Sequence, residues 1–363
     1  MRVMNTIPRT ILAATLVVGV CLSAGGALAS SDPLGESGVV VDGHQPPKVR
    51  ADAWVVVDAD SGAVLAAKNA HERLRPASTL KTLTAITLLP RLDLDDTYRV
   101  QWEDANTVGS AVGIVPDSRY TIDELFYGLM LPSGNDAAEA LASAAGGKRA
   151  TVRAMNGQAA ELGAMDTTAK NVTGLDARGQ VSSAFDLAIF ARAGLDDRDF
   201  RRYVSTVSTP FPAQEPKRDK RRDTFMIYNQ NPLLLDGYRG TLGVKTGYTT
   251  LAGRTFVAAV KRGGQTLIVA LMGLVDPTDV AAERLLTWGF AHSDEVTPVG
   301  SLDSRIAQTP RPSAPATSNP PQAAGVSGDA FDSRGSAATV VTLLVAAGML
   351  FVTGGWLWRR RSR

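Results

Sequence analysis

The sequence predicts a mixed α/β fold of the α+β type, with one central antiparallel sheet flanked by helices and a mostly helical lobe. Two β-hairpin patterns carry this prediction. Residues 54–57 and 63–66 are apolar runs joined by a turn. Residues 255–260 and 266–274 form a second pair, joined by two glycines. Helical patterns fill the stretch between the hairpins, so pairing of the distant hairpins would form one sheet with helices packed around it.

Six segments between and after the hairpins have the apolar spacing of helices. The first stops before Pro90, and Thr121 and Glu124 form a capping box at the start of the second. Gly163 and Gly194 each follow a helical segment directly, which predicts that these two helices end there. The predicted helices span residues 79–89, 122–130, 136–145, 152–162, 183–193 and 276–291.

The N-terminus has the pattern of a secretory signal peptide over residues 1–29. Two arginines precede an apolar run, and the segment ends in the small-residue cleavage motif Ala27-Leu28-Ala29. The only cysteine, Cys21, lies inside the apolar run. The mature chain would therefore contain no cysteine, which leaves no disulfide framework and no Cys-rich metal site.

The C-terminus predicts a single membrane span. Residues 337–358 form an uncharged apolar run of 22 residues, and a helix that crosses a bilayer needs about 20. Trp356 and Trp358 end the run as interfacial aromatic residues do, and the four arginines of the tail 359–363 predict a cytoplasmic end. The rest of the mature chain would then lie outside the cytoplasm, anchored to the cell membrane.

Composition divides what is left into an arm, a domain and a stalk. Residues 30–50 predict a flexible leader arm, the proline-rich residues 296–336 predict a stalk, and residues 51–295 form one globular domain.

The formal net charge of +2 depends on six arginines in the two targeting ends, and without them it is −4. We therefore expect no nucleic-acid partner. With only three histidines in the chain, we also expect no catalytic metal and no other cofactor.

Ser78 and Lys81 are three residues apart, on one face of the first predicted helix. Ser78 would lie at the helix start, where backbone N–H groups are free and the helix dipole is positive. A serine hydroxyl is a weak nucleophile until a base removes its proton, and no histidine is suitably placed. Lys81 is therefore the candidate base, which requires burial and neighbouring positive charge to lower its pKa.

Ser133-Gly134-Asn135 lies in a loop between two predicted helices. Ser133 could relay a proton to a leaving amine, and Asn135 could donate a hydrogen bond to a substrate carbonyl. Gly134 would allow the backbone to turn tightly between them. Taken alone, the motif also suits a helix N-cap, because Ser133, Asn135 and the following Asp136 are all residue types that cap well.

Lys245-Thr246-Gly247 follows residues 241–244, a short strand after a glycine-rich turn. The edge of a strand can receive an extended substrate by backbone pairing. Lys245 would supply positive charge and Thr246 a hydroxyl for a carboxylate, while Gly247 would let the ligand approach closely. The three motifs each occur once, in this order along the chain.

Together the motifs resemble those of the penicillin-recognising serine enzymes. More narrowly, the chain is similar to the low-molecular-weight D-alanyl-D-alanine carboxypeptidases of peptidase family S11, over about residues 52–292. The resemblance implies a β-lactamase/transpeptidase-like version of the predicted fold. The segments that carry it span residues 76–81, 131–138, 171–176, 183–188, 243–249 and 285–290.

The resemblance implies a reaction and a role for each residue of the first two motifs. Ser78 would be the acylated nucleophile and Lys81 its base. Ser133 and Asn135 would line the other side of the cleft. The implied reaction is acylation with release of the terminal D-Ala, followed by hydrolysis by water.

For the third motif, the resemblance implies that Lys245 and Thr246 bind the terminal carboxylate of the substrate. The backbone N–H groups of Ser78 and Tyr248 would form the oxyanion hole, where fixed donors stabilise the developing charge. The implied substrates are peptidoglycan stem peptides that end in D-Ala-D-Ala. β-Lactams, which mimic that dipeptide, would act as covalent inhibitors on Ser78.

The chain also departs from the family, and other functions stay open. Some relatives have an arginine after the last strand, near the substrate carboxylate, whereas Val275-Asp276-Pro277 has none. A class A β-lactamase would need a deacylating glutamate between the second and third motifs, and residues 171–179 offer only Asp176. A D,D-endopeptidase or transpeptidase that uses the same acyl-enzyme is a further alternative, as is a non-catalytic wall-binding homologue.

Overall fold

The computed structural model describes residues 33–217 and 220–303. The predicted signal peptide, membrane span and basic tail lie outside these residues, as does most of the predicted stalk. Within the described residues, no helix is both long enough and apolar enough to span a bilayer.

An antiparallel sheet of seven strands forms the centre of the described chain. The strands are β1 (Val39–Val41), β2 (Ala53–Asp58), β3 (Ala63–Lys68), β4 (Thr97–Arg99), β5 (Arg119–Thr121), β6 (Ser208–Pro212), β7 (Thr224–Tyr228), β8 (Thr241–Thr249), β9 (Gly253–Arg262), β10 (Gln265–Leu274) and β11 (Gly300–Ser301). The sheet order is β1-β3-β2-β10-β9-β8, and β11 also pairs with β3. The pairs β4–β5 and β6–β7 form two small separate sheets.

Helices cover both faces of the sheet. They are α1 (Lys81–Leu88), α2 (Trp102–Ala105), α3 (Ile122–Met130), α4 (Asn135–Ala144), α5 (Lys148–Glu161), α6 (Ala184–Asp196), α7 (Arg198–Ser205), α8 (Pro232–Leu235) and α9 (Thr278–His292). On one face, residues of α1, α3, α4 and α6 share a large apolar core with the sheet. On the other face, α9 closes a smaller core.

The sequence of β2 shows why both faces are covered. Side chains alternate across a strand: Val55 and Val57 pack into the larger core, whereas Trp54 and Val56 pack into the smaller one. All four are almost fully buried. A strand that is buried on both faces is a continuous apolar run rather than an alternating one, as this segment is.

The structure confirms both predicted hairpins and all six predicted helices, with differences at the helix ends. Gly163, at φ +75°, follows the end of α5 as predicted. The prediction for Gly194 was wrong, because α6 continues through it to Asp196. This glycine is required by packing, since a Cβ there would lie 2.6 Å from the Phe200 ring.

The sheet also uses residues beyond the predicted domain bounds of 51–295. Val39–Val41, assigned from the sequence to the leader arm, pairs with residues 66–68 of β3. Gly300–Ser301, assigned to the stalk, pairs with residues 63–64 along the same strand. The part of the chain that packs with the sheet thus extends beyond the predicted bounds at both its N-terminal and its C-terminal end.

Candidate active site

Ser78 lies in a one-turn 3₁₀ helix, Ala77–Leu80, that leads directly into α1. The backbone just before it is strained, because the buried Ala77 has φ +48°, which costs a non-glycine residue about 1–2 kcal/mol. Gly174 packs against this turn so closely that a Cβ there would lie 1.9 Å from the Ala77 carbonyl oxygen. The serine is therefore presented on a buried turn that a second segment holds in place.

Lys81, the first residue of α1, is completely buried and reaches three groups. Its Nζ lies 3.0 Å from Ser78 Oγ, 2.6 Å from Asn135 Oδ1 and 2.7 Å from the Thr173 carbonyl oxygen. The first two motifs of the sequence therefore meet at one nitrogen atom. Burial lowers the pKa of Lys81 well below its ordinary value, and the positive charge of Lys245 lowers it further.

The second motif turns sharply into α4. Ser133 has φ +64°, and its buried Oγ has no hydrogen-bond partner among the described residues. Asn135 Nδ2 donates to the Val108 carbonyl oxygen, which directs its Oδ1 towards Lys81. The N-cap interpretation is wrong, because Gly134 is the N-cap of α4 and no side chain caps this helix.

Asp136 positions the edge of the cleft, a role that the sequence analysis missed. Its carboxylate accepts hydrogen bonds from the backbone N–H groups of Val112, Gly113 and Ile114, at 2.8–3.1 Å. These bonds hold the loop that contains Ser110, whose carbonyl oxygen accepts a bond from the backbone of the second motif. Contacts this far apart along the chain left no signal in the sequence.

The third motif lies on β8, the last strand of the sheet. Lys245 is 2% exposed, and burial lowers its pKa to about 7. Gly247 lies beside the nucleophile, since a Cβ there would be 2.7 Å from the Ser78 backbone nitrogen and 2.5 Å from Thr255 Oγ1. Only a glycine allows β8 to pass this close to the turn that contains Ser78.

An open cleft joins the three motifs. Its described lining consists of Ser78, Ser110, Ser133, Gln230, Thr246, Gly247, Tyr248, Arg254, Thr255 and Thr278. Lys81, Asn135 and Lys245 lie buried behind it. No residue in this described lining is a carboxylate, a histidine or a cysteine, so its chemistry is that of hydroxyls, amides and cations.

Arg254 is the second functional candidate that the sequence analysis missed. It is exposed on β9, opposite Tyr248 in the β8–β9 register and opposite Leu274 in the β9–β10 register. It therefore lies beside the segment that starts at Val275, which has no arginine of its own. Arg254 also lines a neighbouring groove with Thr246 and Val275. Only the register of the strands could have indicated that Arg254 lies here, and the hairpin pattern in the sequence does not determine that register.

Comparison with known proteins assigns the architecture to a family. Residues 40–275 match the family model of peptidase S11, described as D-alanyl-D-alanine carboxypeptidase. The chain belongs to the S11 family. This membership confirms the predicted fold class and the predicted enzyme class, a serine-type carboxypeptidase.

Two curated relatives agree with this assignment. The D-alanyl-D-alanine carboxypeptidase DacB2 of Mycobacterium tuberculosis is 41% identical over 264 residues, which are 70% of this chain and 87% of the relative. DacF of Bacillus subtilis is 32% identical over 265 residues, 71% of this chain and 66% of the relative. The chain thus spans most of the first relative but about two thirds of the second.

Solved structures of the same architecture include a carboxypeptidase and a transpeptidase. A D-alanyl-D-alanine carboxypeptidase from Mycobacterium tuberculosis H37Rv superposes with a TM-score of 0.67 at 39% identity, covering 72% of this chain and 99% of that one. The Streptomyces K15 DD-transpeptidase superposes with a TM-score of 0.64 at 28% identity, covering 68% and 100%. The chain is therefore similar to solved structures of both a carboxypeptidase and a transpeptidase.

Proposed function

We propose that this S11 enzyme removes the terminal D-Ala from peptidoglycan stem pentapeptides through an acyl-enzyme on Ser78. The observation that carries the proposal is the 3.0 Å distance between Lys81 Nζ and Ser78 Oγ, in a buried cluster behind an open cleft. A lysine that titrates well below its ordinary range can be neutral near physiological pH and act as a base.

Charged Lys81 can donate to all three oxygens around it, Ser78 Oγ, Asn135 Oδ1 and the Thr173 carbonyl oxygen, and loss of one proton leaves a neutral amine. Such an amine has two N–H donors and one lone pair. If it donates to Asn135 Oδ1 and the Thr173 carbonyl oxygen, the lone pair is left to accept the proton of Ser78. Asn135 and Thr173 then act as positioning groups for the base.

Acylation follows from this arrangement. Lys81 takes the Ser78 proton as Oγ bonds to the carbonyl carbon of the penultimate D-Ala. The C–N bond to the terminal D-Ala then breaks, and its amine takes a proton relayed from Lys81 through the Ser133 hydroxyl, which has no competing partner among the described residues. Water later cleaves the ester and returns the proton to Ser78.

Two features of β8 suit it to bind the substrate. It is the last strand of the described sheet, so an extended peptide can pair along its open side. Its closeness to the Ser78 backbone nitrogen supports an oxyanion hole formed by the N–H groups of Ser78 and Tyr248. Lys245 and Thr246 would hold the terminal carboxylate of the substrate.

β-Lactams would acylate Ser78 as covalent inhibitors, because a strained lactam carbonyl can occupy the position of the scissile one. A β-lactamase is a weaker candidate, because the described lining around Ser78 offers no carboxylate to activate a deacylating water. The pairing of Ser78 with Lys81 argues against a non-catalytic homologue.

Transpeptidation is the second candidate function, favoured by the similarity to the Streptomyces K15 DD-transpeptidase. The two reactions share the acyl-enzyme and differ in whether water or an amine attacks it. D,D-endopeptidase activity would use the same intermediate on a crosslinked peptide.

The proposed location is the outer face of the cell membrane. The sequence pattern that supports it is the signal peptide at residues 1–29 and the apolar run 337–358 followed by arginines. A stalk up to residue 336 would separate the S11 domain from the bilayer.

The function is tested by incubating the chain with a pentapeptide ending in D-Ala-D-Ala and measuring free D-Ala, with and without an amine acceptor. We expect D-Ala release, a tetrapeptide product, and a penicillin adduct that mass spectrometry locates on Ser78. A product joined to the acceptor amine would favour the transpeptidase. Rapid penicillin hydrolysis without D-Ala release would favour the β-lactamase.

Arg254→Gln is expected to lower kcat/KM for D-Ala release about tenfold, because a charged hydrogen bond to a carboxylate contributes roughly 1.5–3 kcal/mol and this side chain is exposed. The loss should be small for a peptide whose terminal carboxylate is amidated. Lys261→Gln, an exposed cation on the same strand, serves as the control. Equal kcat/KM for Arg254→Gln and wild type would remove Arg254 from the carboxylate site.

A further inference from the structure

Three side chains of the metal-ligating kind meet on the surface, away from the motifs. His44 lies between β1 and β2, His292 is the last residue of α9, and Glu295 follows in the next turn. Their ligand atoms all lie within 4.8 Å of one another. Two of the three histidines of the whole chain are therefore in this one cluster.

Both imidazoles are directed at one carboxylate oxygen. Glu295 Oε2 lies 3.0 Å from His44 Nε2 and 2.8 Å from His292 Nδ1. The two rings stack with their centroids 4.3 Å apart. The side chains of His44 and Glu295 are more than half exposed, so an ion can reach the cluster from solvent and the ring of His44 can rotate.

We propose that His44, His292 and Glu295 bind a divalent transition-metal ion, Zn²⁺ being the best match. Zn²⁺ bonds to imidazole nitrogen and carboxylate oxygen at about 2.0–2.2 Å, which places the ligand atoms of a tetrahedral site about 3.3 Å apart. The two bonds to Glu295 Oε2, 2.8 and 3.0 Å, are close to this value, and the two nitrogens lie within 4.8 Å of each other. Side-chain rotations would bring the three atoms around one ion, with water as the fourth ligand. Two imidazoles favour Zn²⁺ over Mg²⁺, which prefers an all-oxygen shell.

The ion would have a structural role rather than a catalytic one. It would join the segment before β2 to the segment after α9, where Asp42 and Thr297 already form a backbone bridge. The opposite end of α9, at Thr278, lines the cleft around Ser78, and a helix of 15 residues is about 20 Å long. The site is thus too far away to act on a substrate at Ser78.

The test uses the full chain without a histidine tag, with ZnCl₂ titrated by calorimetry and in thermal melts. We expect one ion per chain and a melting temperature that rises by about 5 °C at a hundredfold excess over Kd. Mg²⁺ should do neither. Penicillin acylation of Ser78 should be equal with and without Zn²⁺, so failure of the metal site and failure of the proposed function are distinguishable.

Variants assign the ion to the cluster. Removing a group that only hydrogen-bonds to a metal ligand weakens metal binding by roughly 10–100-fold. Removing a ligand itself should do at least as much, so we expect His44→Gln and Glu295→Gln each to weaken Zn²⁺ binding about tenfold or more. Asp294→Asn, an exposed acid beside the cluster, should leave binding unchanged. Absence of Zn²⁺ binding at millimolar concentration, or equal binding by His44→Gln and wild type, would overturn the proposal.

Discussion

Replacing Lys81 with methionine is expected to slow acylation of Ser78 by penicillin about a thousandfold, because a positioned general base contributes roughly 10²–10⁴-fold. Methionine fills a similar volume but has no nitrogen within 3.0 Å of Ser78 Oγ to accept its proton. The substitution also leaves Asn135 Oδ1 and the Thr173 carbonyl oxygen without their donor. We expect a cost of about 1–3 kcal/mol in the free energy of unfolding for each buried group left unpaired, partly offset because no cation is buried any longer.

The acylation rate is measured by stopped flow with a fluorescent penicillin, alongside a thermal melt to show that the variant folds. Lys148→Met is the matched control, because Lys148 is a partly exposed lysine that pairs with Glu139 at 3.0 Å and does not line the cleft. A folded Lys81→Met variant that acylates at the wild-type rate would refute the assignment of the base.

The pH profile separates a base from a lysine that only supports the turn. In the wild type, kcat/KM should rise with pH through the lowered pKa of Lys81, because only the neutral amine accepts a proton. It should fall above about pH 7, because Lys245 loses its proton there and no longer attracts a carboxylate. The two lysines interact, so the apparent pKa values of the two limbs describe the pair and not either lysine alone. Lys81→Met should retain the falling limb and lose the rising one.

The closeness of Ser78 and Lys81 could be predicted because the pair is local in the sequence. Ser78 and Lys81 are three residues apart, and a helical turn alone brings them onto one face. Lys245 is distant in sequence, and its approach to Lys81 depends on β8 ending the sheet next to the nucleophile turn. The family resemblance assigned Lys245 to the terminal carboxylate of the substrate, and so to the same site as Ser78, which no rule of periodicity could do.

Other elements of the fold left no pattern in the sequence that would have predicted them. The edge strands at Val39–Val41 and Gly300–Ser301 are too short for a strand signal, and their pairing with β3 depends on the sheet already being in place. The helix Arg198–Ser205 is largely polar and charged, so its few buried side chains, such as Phe200, did not stand out. The positions of Arg254 and Asp136 depend on strand register and on loop contacts that only the folded chain defines.

The strained backbone at Ala77, just before Ser78, could not be predicted from the sequence either. It makes the neighbouring Gly174 a sensitive position. Gly174→Ala is expected to lower the free energy of unfolding by about 4 kcal/mol or more and to slow acylation of Ser78 about a hundredfold. The added Cβ would lie 1.9 Å from the Ala77 carbonyl oxygen and 3.0 Å from the Ser78 backbone nitrogen, and Gly174 has φ +86°. The backbone of one of the two segments must therefore move, and movement of the turn misplaces the nucleophile.

Gly179→Ala isolates the effect of the clash from the effect of the backbone angle. Gly179 lies a few residues further along the chain at φ +78°, but a Cβ there would meet only Lys170 Cε, at 3.4 Å. Its substitution should cost about 1–2 kcal/mol of unfolding free energy and leave the acylation rate unchanged. Both variants are compared by chemical denaturation and by stopped-flow labelling. If Gly174→Ala behaved like Gly179→Ala in both measurements, Gly174 would not be what holds Ser78 in position.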